Sequence, residues 1–327
     1  MLDHFTDTRS VGGWYLILFS VACQHSSCRL RRLGPKMNRH LVPSSTVSDR
    51  LESLSTSDGR YVILAIDHGR SLLSLLGHDE SDDGPMREAK AEVLELLATH
   101  CTAVLIDVRL ARTIGTLWRR PDEVQLIVGL DDFDYDDVIF PPPSVPSREL
   151  LREVRLAGAT AAKIVLYYDP DTSDAAARCG VVAQIAERCH AEGLPLLVEP
   201  LPIPIAERDD RDPWPVAEVA RRVSKTGADI LKLPLTLGSQ TADLAADITK
   251  AAAGTPWILL SSGAPYSEFL ETLHLALLGG AAGFAAGRSI WSDLIVDVTN
   301  ETARLEASQR LEGAALLTRS QRRAKLS

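Results

Sequence analysis

Eight short apolar runs, rich in Leu and β-branched residues, recur between Tyr61 and Ala286, and the segments between them are amphipathic and rich in Ala, Glu and Arg. The runs are "YVILAI" (Tyr61–Ile66), "AVLI" (Ala103–Ile106), "QLIVGL" (Gln125–Leu130), "AKIVLYY" (Ala162–Tyr168), "PLLV" (Pro195–Val198), "DILKL" (Asp229–Leu233), "WILLS" (Trp257–Ser261) and "GFAA" (Gly283–Ala286). Short continuous apolar runs alternating with helical patterns imply parallel strands covered by helices. Two of the connectors, "PMREAKAEVLELLATH" (Pro85–His100) and "VVAQIAERCHAEG" (Val181–Gly193), carry apolar residues at helical spacing. Gly or Pro marks the passage from helix to strand at Gly158, Gly193 with Pro195, Gly227, Gly254 with Pro256, and Gly280. Eight such units in roughly 250 residues match an α/β (β/α)8 TIM barrel, which is the expected fold. An open doubly wound sheet shares the alternation, but its dinucleotide form needs a Gly-rich turn after the first strand, and "DHGRSLL" stands there instead.

In such barrels chemistry sits at the C-terminal ends of the strands, so those positions form one list. They are Asp67, Asp107, Asp131, Lys163, Glu199, Lys232, Ser261 to Gly263, and Gly287 with Arg288. A single Asp there marks no more than the strand's exit into water. Two lysines inside apolar runs, with Glu199 on the strand between them, ask for another account.

A lysine in an apolar pocket beside another cation is pushed toward its neutral form by desolvation and like-charge repulsion, and a neutral amine is a nucleophile. Attack on a ketone gives a Schiff base, whose iminium drains electrons and lets a neighbouring C–C bond break or form. Glu199 is placed to shuttle protons for that step. Lys163 and Lys232 share one mouth if the period-two pleat turns both inward. A buried Lys–Glu–Lys network with a purely structural role is the competing account.

The last two strands run into small-residue turns, "LLSSGAP" (Leu259–Pro265) and "GFAAGRSIW" (Gly283–Trp291). Phosphate sites in barrels are commonly built by the loops after strands seven and eight. Gly263 and Gly287 would let backbone amides approach an anion, a helix starting after Gly287 would offer its positive end, and Arg288 can pair with phosphate oxygens.

Together "AIDHGRSLL", "AVLIDVRLA", "AAKIVLYYDPD", "LPLLVEPLPIP", "GADILKLPLTLG", "PWILLSSGAP" and "GAAGFAAGRSIW" resemble, in order, the tagatose-1,6-bisphosphate aldolase and sulfofructosephosphate aldolase group of class I aldolases. The resemblance implies a barrel with a Schiff-base mechanism that uses no metal or other cofactor, and a dihydroxyacetone phosphate half in the substrate. By the matching stretches it implies Lys232 as the Schiff-base lysine, Lys163 as a second active-site lysine and Glu199 as acid/base. Asp67 would serve substrate hydroxyls or Lys232, and Ser261, Ser262, Gly263, Gly287 and Arg288 would bind phosphate. His68 and Asp107 are expected among the substrate contacts.

There are departures. Where the group reads Asp-Gln-Arg after the first strand, this chain reads Asp67-His68-Gly69-Arg70, and the acidic "LDDFDYDD" (Leu130–Asp137) replaces a lysine-containing loop. The stretch from Pro200 to Thr226 is short, closer to the sulfofructosephosphate type. The substrate therefore stays open between a 6-phosphorylated ketose, a sulfonated one, and a ketose 1-phosphate with a neutral or cationic tail. A Schiff-base lyase of the deoxyribose-phosphate aldolase kind and a non-catalytic barrel that binds a sugar phosphate are the alternatives.

Lys plus Arg number 35 against 44 Asp plus Glu, a formal charge of -9, so nucleic acid is not an expected partner. Five cysteines without zinc-type pairing suit a reducing cytoplasmic setting, and the eight histidines form no ligand cluster at strand ends. "GWYLILFSVAC" (Gly13–Cys23) falls short of the roughly 20 apolar residues that span a bilayer. Residues 1–48 are expected to be an extension outside the barrel, with translation starting at Met37 as the favoured reading and a weak export or membrane-anchor signal as the alternative, residues 49–305 the barrel, and 306–327 a helical tail. A sugar phosphate, a homo-oligomer and no membrane complete the expected partners.

Overall fold

The protein is described by a computed structural model for residues 46–69, 72, 84–131, 140, 142–203 and 214–321. Eight strands form a closed barrel in sequence order: β1 (Tyr61–Ala65), β2 (Ala103–Asp107), β3 (Gln125–Gly129), β4 (Ala161–Tyr167), β5 (Leu196–Leu201), β6 (Ile230–Pro234), β7 (Trp257–Leu260) and β8 (Gly283–Ala286). Neighbours pair in parallel throughout, and β8 closes on β1. Each sequence run lies within two residues of a strand at its start, and β5 extends three residues further than expected, so Glu199 lies inside the strand.

The pleat sorts these strands into two apolar layers. Ile63, Ala65, Leu105, Ala161, Leu197 and Ile230 pack together inside the barrel. Their neighbours Leu64, Ile106, Ala162, Val198 and Leu231 face the surrounding helices. Both faces are dry, which is why the strands read as continuous apolar runs and not as alternating ones. The helix Val47–Ser53, capped by Thr46, brings Leu51 and Leu54 against the interior cluster. Each fully buried aliphatic side chain contributes about 1.5–3 kcal/mol, and these apolar layers offset the cost of a charged layer above them.

The helix Glu301–Ser320 buries Ala303, Ala307, Leu311, Ala314, Ala315 and Thr318, and Arg60 ties its end to the barrel by donating to the carbonyls of Ala281, at 2.8 Å, and of Gln321. The expected limits at residues 49 and 305 thus fall inside two helices. Residues 1–45, the run from Asp132 to Asp137, positions 204–213 and 322–327 lie outside the described residues, and with them the readings of the first apolar segment and the basic end. Among the described residues no helix is long and apolar enough to cross a membrane.

Candidate active site

The inward positions of the pleat continue from the apolar layer into the charged one. Asp67 follows Ala65 by two residues, Lys163 follows Ala161, Glu199 follows Leu197, Lys232 follows Ile230, and Asp131 follows Ile127 by four. The period of two therefore turns all five toward one centre.

Lys163 stands at that centre with no exposed surface. Its Nζ lies 3.0 Å from Asp67 Oδ2, 3.0 Å from Glu199 Oε2 and 3.3 Å from Asp131 Oδ2. Asp131 also accepts the backbone N–H of Val165 at 2.9 Å, which fixes the carboxylate against β4. Lys232 is 3 % exposed, and its Nζ lies 3.1 Å from Glu199 Oε2. Glu199 thus bridges the two lysines through a single oxygen. Register explains the bridge: Val198 pairs with Leu231 and Val165 with Glu199, which sets Glu199 beside Lys232 on one side and within reach of Lys163 on the other.

Charge balance sets the state of the carboxyls. Burial would raise Asp67 and Glu199, but Lys163 and Lys232 outweigh it and hold both below the usual carboxylate range. Asp131 goes the other way: burial dominates over Lys163 and pushes it up to about 6.

A cavity of about 360 Å³ opens over this layer, and Lys232, Asp67, Glu199 and His68 line it together with Ser261, Ser262, Gly263, Gly287 and Arg288. The two lysines therefore differ in access: Lys232 lines the cavity, and Lys163 lies behind its carboxylates. The phosphate-type turns meet at the cavity's β7–β8 side. Gly263 holds φ +74°, and a Cβ there would lie 3.3 Å from the Arg288 guanidinium. At Gly287 a Cβ would come within 2.8 Å of both Ala65 O and His68 Cε1, so only glycine fits. Gly287 N–H donates to Ser261 Oγ at 3.4 Å, and the helix Arg288–Val296 starts at this point.

His68 is held by its surroundings. Lys90 Nζ donates to its carbonyl at 2.7 Å, and its ring meets Trp291 edge-on at 5.3 Å. Burial pushes the imidazole down to about 4 against the pull of Asp67, so the ring is neutral near pH 7. Its buried Nδ1 has no hydrogen-bond partner among the described residues.

Asp107, also expected among the substrate contacts, is held by other partners in the structure. Its carboxylate accepts Leu110 N–H at 2.8 Å, capping the turn Val108–Ala111, and pairs with Lys90 Nζ at 2.6 Å. Asp107 is not among the described residues that line this cavity. Two residues without an expected role matter here, Asp131 and Lys90. Lys90 could have been found, since it falls with Met86, Leu94 and Leu97 on the buried face of the helix Gly84–Leu97.

The profile of "DeoC/LacD family aldolase" matches residues 61–293. The chain is 25% identical over 288 residues to "Tagatose 1,6-diphosphate aldolase 1" of Enterococcus faecalis, covering 77% of this chain and 86% of that protein. It is 26% identical over 243 residues to "Fructose-bisphosphate aldolase class 1" of Halobacterium salinarum, covering 73% of this chain and 87% of that one. Among solved structures, the fructose-bisphosphate aldolase from Slackia heliotrinireducens superposes with a TM-score of 0.60 at 21% identity, over 86% of this chain and 92% of that one. An archaeal fructose 1,6-bisphosphate aldolase gives 0.59 at 21% identity, over 84% and 99%. These structures share the barrel, and the matched profile covers all eight strands with the lysines, Glu199 and both glycine turns inside it: the chain belongs to the DeoC/LacD family of aldolases.

Proposed function

We propose that the protein is a class I aldolase that cleaves or forms a ketose phosphate through a Schiff base on Lys232, with dihydroxyacetone phosphate as the ketone half. The observation that carries this reading is the unequal treatment of the two lysines. Among the described residues, Lys163 faces three carboxylates and is sealed off, whereas Lys232 pairs with one and lines the cavity.

In the cleavage direction the phosphate rests on the turns at Gly263 and Gly287 and on Arg288, which sets the ketone carbon over Lys232. Lys232 Nζ gives a proton to the ionised Glu199 and bonds to that carbon. Glu199, 3.1 Å from Nζ, hands a proton to the carbinolamine hydroxyl, which leaves as water. The iminium then takes the electron pair of the neighbouring C–C bond as the hydroxyl on its far carbon gives its proton to a carboxylate of the cluster. The aldehyde departs, the enamine regains a proton at carbon, and water releases the ketone from Lys232. Asp67 and Glu199 serve as bases because the lysines keep them ionised, and His68 offers a neutral hydrogen-bonding edge to a hydroxyl.

Among the described residues Cys101, Cys179 and Cys189 are free thiols, which suits a reducing, cytoplasmic setting. A homo-oligomer belongs to the same reading.

The test is intact-mass spectrometry after incubation with dihydroxyacetone phosphate and sodium borohydride, with Lys232→Ala and Lys163→Met alongside. A reduced adduct on the wild type that Lys232→Ala abolishes supports the reading. An adduct that persists in Lys232→Ala and maps to Lys163 sinks the assignment, and a wild type that binds dihydroxyacetone phosphate without any adduct sinks the aldolase.

A further inference from the structure

Among the described residues Lys90 is a third buried lysine, and the proposed mechanism gives it no part. It stands within the helix Gly84–Leu97, 1 % exposed, on the face that also buries Met86, Leu94 and Leu97. An apolar side chain would pack there at less cost, because an ammonium must first be stripped of water. Its Nζ holds two acceptors that lie just past two different strands or at their ends, the carbonyl of His68 at 2.7 Å and Asp107 Oδ2 at 2.6 Å. The other oxygen of Asp107 accepts Leu110 N–H at 2.8 Å. The carboxylate is thus fixed by the turn it caps, and it fixes the place of the ammonium.

What Lys90 grips is the segment that carries His68. Strand β1 ends at Ala65, and its bonding to β2 continues to Ile66, whose N–H donates to Leu105 O at 2.8 Å. His68 follows two residues later, where the direction of the backbone must be set from outside the sheet. Both sides of it are pinned: the Asp67 carboxylate by Lys163 at 3.0 Å, and its own carbonyl by Lys90. A carbonyl held by a charged donor fixes its peptide plane, and with it the direction of the side chain. The ring so directed lines the cavity, meets Trp291 edge-on at 5.3 Å, and lies so close to Gly287 that a Cβ there would come within 2.8 Å of Cε1. Trp291 is itself tied to β1, donating its indole N–H to Ala65 O at 2.9 Å.

We infer that Lys90 is a positioning residue: by holding the His68 carbonyl against Asp107, it sets the imidazole beside the Gly287 turn, where the ring orients the ketone half for Lys232. The inference rests on the aldolase reading above and deepens it. Lys90 is not among the described residues that line the cavity, so it acts through His68. The glycine turns and Arg288 supply affinity for the phosphate, and the placement of His68 bears on the rate, which a shift of about 1 Å can lower by up to about 100-fold.

The experiment uses the full chain with dihydroxyacetone phosphate as probe. Reactions are quenched with sodium borohydride at intervals, and the Lys232 adduct is read by mass over a range of probe concentrations. Lys90→Met alone leaves Asp107 without its cation, so the main variant is Lys90→Met/Asp107→Asn, which removes both charges and keeps an amide oxygen to cap Leu110 N–H. Its melting temperature should stay within about 5 °C of the wild type. The labelling rate at saturating probe should fall roughly tenfold, with the half-saturating concentration within about threefold. In a His68→Ala background the same pair of substitutions should change the rate by less than about threefold, because the group that Lys90 positions is already gone. A folded double variant that labels within about threefold of the wild type at saturation overturns the inference. So does a tenfold loss that persists in the His68→Ala background, or a His68→Ala variant that labels like the wild type. If neither Lys90→Met nor the double variant folds, Lys90 serves the fold and the positioning role falls. Absence of any adduct on the wild type is a different result, and it removes the aldolase reading on which the inference stands.

Discussion

Replacing Lys163 by Met tests the charged layer directly. The side chain is fully buried, and its Nζ is shared by Asp67, Glu199 and Asp131 at 3.0, 3.0 and 3.3 Å. Methionine has similar volume and no charge, so packing is nearly kept and three buried carboxylates lose a shared cation. Removing one partner of a buried ion pair costs about 3–5 kcal/mol, because the charge left behind is uncompensated. For a domain of this size that corresponds to a fall of roughly 10 °C in melting temperature. Lys232→Met removes the direct partner of one carboxylate, Glu199, and a more distant charge from Asp67, and both still have Lys163 3.0 Å away, so a loss of about 1.5 kcal/mol is expected. The pH dependence separates this mechanism from simple loss of packing. In the wild type the lysines hold Asp67 and Glu199 low, so these groups favour the fold above their unfolded values near pH ~4, and the benefit disappears as pH falls through the folded values. Without Lys163, burial prevails and their pKa values move up. The variant's deficit is then largest at pH ~7.5 and shrinks toward pH ~5, where the carboxyls take up protons. Urea titrations of the wild type and both variants at these two pH values read the effect. A deficit equal at both pH values, or one for Lys163→Met no larger than for Lys232→Met, would refute the reasoning.

Three further outcomes follow from the same geometry. Burial holds Asp131 up at about 6, so its contribution to stability is full below the unfolded value near pH ~4 and is lost as pH rises through about 6; Asp131→Asn should gain on the wild type in melts between pH ~5 and ~7.5, and a constant difference would contradict this. His190 is raised by its 2.7 Å hydrogen bond with Asp229, so the pair favours the fold below the unfolded value near pH ~6.5 and the gain fades as pH rises through the folded value; His190→Gln should flatten the melting temperature between pH ~5.5 and ~8.5, and an unchanged slope would count against the pair. Gly263→Ala forces a side chain into φ +74° and within 3.3 Å of the Arg288 guanidinium, so KM for a ketose phosphate should rise about fivefold while kcat stays within about twofold; a fall in kcat at constant KM would show that the turn does more than bind.

Much of this architecture is legible in the chain because strands dry on both faces tolerate few polar residues. Lys163 and Lys232 stand out within such runs, and strand order alone puts Glu199 between them. Other features depend on contacts between elements that spacing does not reveal. Asp107 and Asp67 occupy equivalent places at the ends of β2 and β1, two residues beyond inward-facing Leu105 and Ala65, yet Lys90 reaches from the helix Gly84–Leu97 to capture Asp107. The helix Glu301–Ser320 buries mainly alanines, so it shows no strong apolar stripe, and its role in covering the barrel appears only in the packing. The helix Val47–Ser53 is short and largely polar, and just Leu51 and the following Leu54 reveal its place against the interior.

The two lysines show how one motif yields two roles. Each lies in an apolar strand, two residues beyond an interior aliphatic side chain, and each touches the same oxygen of Glu199. What separates them is the neighbouring strand. Lys163 on β4 has β3 beside it, with Asp131 two residues past its end, and Asp67 reaches it across the barrel, whereas Lys232 on β6 has β7 beside it, where Ser261 and Ser262 follow in place of acids. An amine bound to three carboxylates must break three charge-assisted contacts before it can attack a carbonyl, and one bound to a single carboxylate must break one. In the proposed mechanism that carboxylate is also the group that takes and returns its proton. The proposed division of labour between nucleophile and electrostatic anchor would then follow from which strands are followed by Asp, and an acid placed after β7 is expected to slow Lys232 even with every other side chain of the proposed site intact.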